Sequence, residues 1–248
     1  MDGNGVTMDR DQSLARLAGW LFIGTFVTAI VARFFAFQQS GVWDAGYVTG
    51  DGADVRVGVG AFFEFFVIVT NIGTAIALYP VLRRFSQVGA LGYIGARVVE
   101  STFIAIGLLA LLAVTLLRQE PGALGAAGLE SAAATLVALY ERAFLMGPGL
   151  VVGLGNGLLL GWMMYRTGLV PRRMAMIALV GGPLAFASGV LVLLGAIEPQ
   201  SSVQVLMTIP EIVWEAALGI YLAWKGFRKD APVLQVPRTR SVTVPELI

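Results

Sequence analysis

The chain has 248 residues, 57% of them hydrophobic and only 13% charged, with a mean hydropathy of +0.79. Soluble domains carry about 25% charged residues, so the composition rules out an ordinary water-exposed shell and points to an all-α, polytopic membrane protein. A net charge of +1 argues against nucleic acid as a partner, and the lack of any cysteine or histidine excludes disulfides, thiol nucleophiles, Cys/His zinc sites and histidine-based catalysis.

A helix needs about 20 apolar residues to cross the hydrocarbon core. Six segments qualify: 14–37, 60–82, 91–117, 146–165, 174–197 and 205–224. They divide the chain into an N-terminal leader (1–13), a six-span membrane domain (14–227) and a tail (228–248). The first span reads as a retained helix and not a signal peptide. Its apolar core is longer than an h-region, its leader is partly acidic, and no small-residue cleavage site follows. The loop 38–58 holds Asp44, Asp51 and Asp54, but their spacing does not fit an EF-hand, so a solvated acidic loop is expected.

Further along, 128–145 reads as helical, either lying at the outer interface or prolonging the fourth span. Within that span Gly149, Gly153, Gly157 and Gly161 recur every fourth residue. They form a face suited to close helix approach, including by a partner membrane protein. The local string GLGNG echoes a dinucleotide fingerprint, but no strand precedes it. Pro148, Pro183 and Pro210 lack the amide that would bond the carbonyls of Phe144, Leu179 and Leu206, which leaves kinks or ion-facing acceptors. The tail, with Pro232, Pro237 and Pro245, reads as disordered.

Lysine and arginine orient the bundle. Arg10, Arg16, Arg83, Arg84, Arg166, Arg172, Arg173 and the basic residues from Lys225 onward fall on one side; only Arg56 and Arg118 fall on the other. Both termini are therefore expected on the cytoplasmic side. Trp20, Tyr79, Tyr93, Trp162, Tyr165, Tyr221 and Trp224 fit an aromatic belt near the cytoplasmic interface.

Charges inside spans are the candidates for function, because each costs about 2.5–3.5 kcal/mol at the bilayer centre on insertion scales. At 1.5 Å per residue, Arg97 lies about 9 Å, Glu100 about 13 Å and Glu215 about 15 Å into the membrane. Arg33, Glu64, Glu141 and Arg142 form a second layer nearer the outer surface, with Glu211 between the layers. Arg97 and Glu100 are three residues apart and share a helix face. They form either a structural clamp, completed by Glu215, or one wall of a polar cavity that binds a proton, a cation or a small polar solute. Asn156 and Asn71 are in-span hydrogen-bonding residues, and Asn156 is placed with the ligand-binding candidates Arg97, Glu100, Glu215, Glu211, Arg33 and Glu64.

Four stretches carry a resemblance: RLAGWLFIGTF, ARVVE, GLLLGWMMYRTGLVPRRMAMIALVGG and EAALGIYLAWKGF. Together they resemble a bacterial family of six-helix integral membrane proteins known as domain of unknown function 4386. The resemblance covers about residues 14–227 in order, and its most specific piece is the Y-R-T-G-L-V-P-R turn. It implies the fold and no activity. Members often carry a histidine near the start of the fourth span, where this chain has LYERAF with Tyr140, Glu141 and Arg142, so a histidine-dependent role does not carry over.

Three functions remain open on sequence alone. The first is a small-solute or proton-linked binding or transport protein with a polar midplane site. The second is a structural or accessory subunit with a paired, non-conducting charge cluster. The third is an intramembrane enzyme, and it is the weakest, because Glu100, Ser101 and Thr102 are adjacent on a helix and point in different directions.

Overall fold

The computed structural model describes residues 3–50 and 52–235, which contain helices and turns and no strand. Six helices are long and apolar enough to cross a membrane. Helix α1 runs over Gly3–Ile30 and continues through a π-helical stretch, Val31–Phe37, into Gln38–Ser40. Next come α2 (Asp54–Leu82) and α3 (Gln87–Gln119), then α4 as one 42-residue helix, Ala126–Thr167. The last two are α5 (Arg172–Leu193) and α6 (Ser202–Lys225). Each packs against its neighbours in sequence, and α6 returns to α1, so the six form a closed ring.

Close approach explains two sides of that ring. A Cβ at Gly157 would strike the Cα of Gly182, one at Gly161 would strike Ala178, and one at Gly189 would lie 3.0 Å from the Gly149 carbonyl oxygen. The glycine face expected on the fourth span therefore packs within the chain, with Gly153, Gly157 and Gly161 against α5. On the other side, a Cβ at Gly19 would collide with the backbone of Ala223, which brings α1 against α6. Pro148 lies inside a π-helical stretch, Leu145–Val151, followed by another, Gly153–Leu160. The missing proline amide makes this wider register less costly, because one i to i−4 bond is already absent.

Two apolar cores cap the ring. One, around Phe22, Leu78, Tyr93, Met163, Trp214 and Leu222, lies at the end that holds both chain termini. There Asp11 accepts both terminal guanidinium nitrogens of Arg84, at 2.6 and 2.8 Å, and the Gln12 amide donates to the Phe227 carbonyl at 3.0 Å. The start of the expected disordered tail belongs to this core. The Arg228 amide donates to the Leu169 carbonyl (2.9 Å), and Ala231, Val233 and Leu234 are buried, the last two in a short helix α7 (Pro232–Gln235). The buried side chains of Ala231, Val233 and Leu234 hold these eight residues down; the rest of the tail, 236–248, lies outside the described residues.

The second core, around Phe37, Tyr47, Val57, Leu111, Leu129 and Tyr140, lies at the opposite end. The loop after α1 is folded into it and is not merely solvated. Tyr47 and Val48 are buried, and the Tyr47 hydroxyl donates to Asp54 at 2.6 Å. Burial, then the neighbouring Asp54, pushes the Tyr47 phenol well above its usual range. Asp54 also takes Arg118 (2.6 Å) and the Gln119 amide (3.2 Å), while Asp44 stays exposed and Asp51 is outside the described residues. At 1.5 Å per residue the 42 residues of α4 span about 60 Å, about twice the hydrocarbon thickness. Its first part, 126–144, therefore prolongs the fourth span beyond the membrane and pairs with the end of α3.

Candidate functional site

Between the two apolar cores the inside of the ring is polar. Arg97 of α3 is its hub, with a side chain only 3% exposed. One terminal guanidinium nitrogen donates to Glu100 at 2.8 Å and the other to Glu215 of α6 at 3.0 Å, while Nε donates to the Tyr93 hydroxyl at 3.2 Å. The guanidinium also lies 5.6 Å from the ring centre of Phe22, from α1. The second oxygen of Glu100 accepts from Asn71 of α2 at 3.0 Å. On α4, the Asn156 amide donates to Glu215 in a very short bond, its side-chain oxygen accepts from Tyr93 (3.1 Å), and its backbone carbonyl accepts from the Trp214 indole (3.2 Å).

The network thus joins α2, α3, α4 and α6, and every bond in it connects groups far apart in sequence except those on α3 itself. Asparagine suits the junctions, since one side chain both donates and accepts. Exposure is graded across the cluster: Asn156 is fully buried, Glu100 nearly so, and the Glu215 side chain is 18% exposed. Glu215 is its most open charged member.

Glu211 completes the group and breaks its pattern. It lies one turn before Glu215 on the same face of α6 and is 1% exposed, yet neither carboxyl oxygen has a hydrogen-bond partner among the described residues. Backbone surrounds it. A Cβ at Gly157 would come within 2.6 Å of a Glu211 carboxyl oxygen, and one at Gly181 within 2.6 Å of the Glu211 amide nitrogen. Buried polar groups without partners are rare in folded proteins and call for a specific cause. Counting formal charges gives one guanidinium against three carboxyl groups.

The other expected site residues form a separate group. Glu64 precedes Asn71 by seven residues on α2, about 10 Å along the helix. It is buried, and one oxygen accepts from the Tyr140 hydroxyl at 3.1 Å while the other has no partner among the described residues. Arg33 stacks over the indole of Trp43 at 4.7 Å, and Trp43 packs on Tyr140 with ring centres 5.3 Å apart. Glu141 and Arg142 leave this layer altogether, because both side chains are exposed on the surface of α4. A helix turns 100° per residue, so the inward direction at 140 belongs to Tyr140 alone. Glu211 also moves from its expected place between layers to the border of the Arg97 cluster.

Arg97, Glu100, Glu215 and Asn156 come together as one bonded group, with Glu211 beside it; Arg33 and Glu64 do not join them. Sequence reasoning missed Tyr93, placed in the aromatic belt, although its spacing of four from Arg97 was a usable signal. Trp214 had no such signal. Ser101 is buried without a hydrogen-bond partner among the described residues and Thr102 bonds the Val98 carbonyl, so neither meets a base there.

A protein-family profile described as domain of unknown function (DUF4386) matches residues 17–226. The chain belongs to the DUF4386 family. Neither a curated protein nor a solved structure matches it. The family match reaches into all six membrane-spanning helices, from midway along α1 to just past the end of α6, and so includes every residue of the polar cluster. It names no ligand, so the chemistry of the site rests on the geometry of this chain.

Proposed function

We propose that this protein is a proton-linked carrier or binder of small solutes, and that the proton is held at the Glu211–Glu215 pair. The carrying observation is Glu211: a buried carboxyl group whose oxygens meet no hydrogen-bond partner at bonding geometry among the described residues, with Asn156 nearby, in a cluster that sets one arginine against three acids. Arg97 neutralises one carboxylate, and bonds from Asn71 and Asn156 help hold Glu100 and Glu215. The remaining negative charge needs a positive counterpart, since a bare carboxylate in a low-dielectric interior is very costly. A proton fits better than a metal ion, because no three acidic side chains among the described residues converge as ligands. Glu215, the more open of the pair, is the exchange partner, and Glu211 is the store.

The charge asymmetry of the loops supports termini in the cytoplasm, and the resemblance to a bacterial membrane family supports an inner-membrane location. Both chain ends packing at one end of the ring agrees with that frame. An accessory-subunit reading has one observation in its favour: each guanidinium nitrogen of Arg97 and both oxygens of Glu100 carry a hydrogen bond, as a clamp requires. It accounts for Arg97 and Glu100 but not for Glu211.

Infrared spectroscopy of the purified protein tests the proposal without knowing the solute. A protonated carboxyl C=O band that responds to pH is expected in the wild type and is expected to vanish in Glu211→Gln or Glu215→Gln. A spectrum with no such band at any pH, or one unaffected by both substitutions, defeats it.

A further inference from the structure

At the end of the ring that holds the termini, the turn joining α4 to α5 and the segment after α6 enclose a cleft of about 320 Å³. That is at the lower end of the range for small-ligand pockets, about 300–1,000 Å³. Arg166, Arg172 and Arg228 line it, together with one acid, Asp230. Each arginine is positioned. Arg166 lies 6.0 Å from the ring centre of Trp162, Arg172 lies 5.7 Å from that of Tyr165, and two guanidinium nitrogens of Arg228 hold Asp230 at 3.2 and 2.5 Å. The bond from Arg228 keeps the Asp230 carboxyl below its usual range, so it stays ionised and acts as a brace. Net charge along the lining is therefore positive.

The walls are fixed from behind. Arg228 is tied to the α4–α5 turn by its amide bond to the Leu169 carbonyl, and Ala231 behind it is buried. At the floor, Gly168 adopts φ +67°, and a Cβ there would meet nothing within 4 Å, so the space beside the turn is open. Trp20 and Trp224, both exposed and paired at 5.0 Å, mark the same end of the bundle as a membrane interface.

We propose that this cleft binds the phosphate of an anionic phospholipid headgroup. Guanidinium forks match phosphate oxygens in geometry as well as charge, and a basic pocket between helix ends at the interface lies at headgroup depth. The aromatic faces behind Arg166 and Arg172 orient the forks, and acyl chains can follow the apolar outer surface of the ring. With Arg228 braced by Asp230, Arg166 and Arg172 are left as two positive charges to hold the singly charged phosphodiester between them.

Native mass spectrometry of the full chain, in mild detergent with either phosphatidylglycerol or phosphatidylcholine added, reads the result. Wild type is expected to retain phosphatidylglycerol over phosphatidylcholine by at least about fivefold, the value of one interfacial cation. Arg166→Gln/Arg172→Gln, at two exposed positions, is expected to lose that preference, while Arg142→Gln, on the exposed surface of α4 away from the cleft, keeps it. Equal retention of the two lipids by wild type overturns the proposal, and that arm needs no variant to fold. Preference unchanged in the double variant, or lost equally in Arg142→Gln, overturns it as well. So does displacement of the lipid by millimolar inorganic phosphate, which would make the site one for a free anion.

Discussion

Arg97 and Glu211 are buried in the same cluster, and removing their charges has different expected costs. Arg97→Gln takes away the one cation bonded to Glu100 and Glu215 among the described residues, leaving these carboxylates with the side-chain amides of Asn71 and Asn156 as partners. Breaking a buried pair in this way costs about 3–5 kcal/mol. Glu211→Gln alters a group whose oxygens have no well-formed hydrogen bond among the described residues and preserves its volume, so its cost is expected to stay within about 1 kcal/mol. Thermal unfolding of both variants in the same detergent checks the order, and a Glu211 variant as damaged as the Arg97 variant would show that Glu211 is a structural strut. The Arg97–Glu100 pair was legible in the sequence because three residues on a helix share a face, and Glu215 joined it on depth alone. Glu211 was placed between the layers by a similar depth argument, and its carboxyl group lies against Gly157, one turn from Glu215. Counting residues gives height along a helix but not direction, and direction decided whether Glu211 faced the cluster or lay between two layers.

At the scale of an element, α4 shows where periodicity helps and where it stops. Its repeat of glycines every fourth residue correctly announced a close helix contact, and the structure supplies the contacting helix: α5 within the same chain. Nothing in a single helix says whether its partner is internal, because the answer depends on ring closure by α6 and α1. The repeat also has unequal members. A Cβ at Gly157 meets backbone of α5 and a carboxyl oxygen of Glu211, whereas one at Gly95, exposed on α3, meets nothing within 4 Å. Gly157→Ala is expected to destabilise by about 1–3 kcal/mol through overpacking. Gly95→Ala is expected to be neutral or to stabilise by about 0.5–1 kcal/mol, as alanine does in a helix interior. Denaturation in mixed micelles compares the two, and equal effects would mean that α4 and α5 can move apart without loss.

For the whole molecule, six spans and their order were legible from hydropathy, because a bilayer imposes length and apolarity on every crossing helix. The folded ends were not legible. Tyr47 and Val48 in the loop after α1, and Val233 and Leu234 after α6, are apolar residues in otherwise polar stretches, too few to register as periodic. They are buried because each end of a closed ring exposes an apolar core that needs a cover. The two covers also offer a direct test of orientation. The chain contains no cysteine, so single cysteines can be introduced without competing thiols. Val55 at the start of α2 is 81% exposed, and Val88 at the start of α3 is 83% exposed, at opposite ends of the ring. With both termini in the cytoplasm, Val55→Cys is expected to react with a membrane-impermeant maleimide in intact cells, and Val88→Cys only after the cells are opened. The reverse pattern would invert the molecule, and with it the lipid leaflet facing the Arg166–Arg172–Arg228 cleft. In either orientation the polar cluster stays between the same two cores, so its chemistry does not depend on the outcome, whereas the direction from which Glu215 exchanges a proton does.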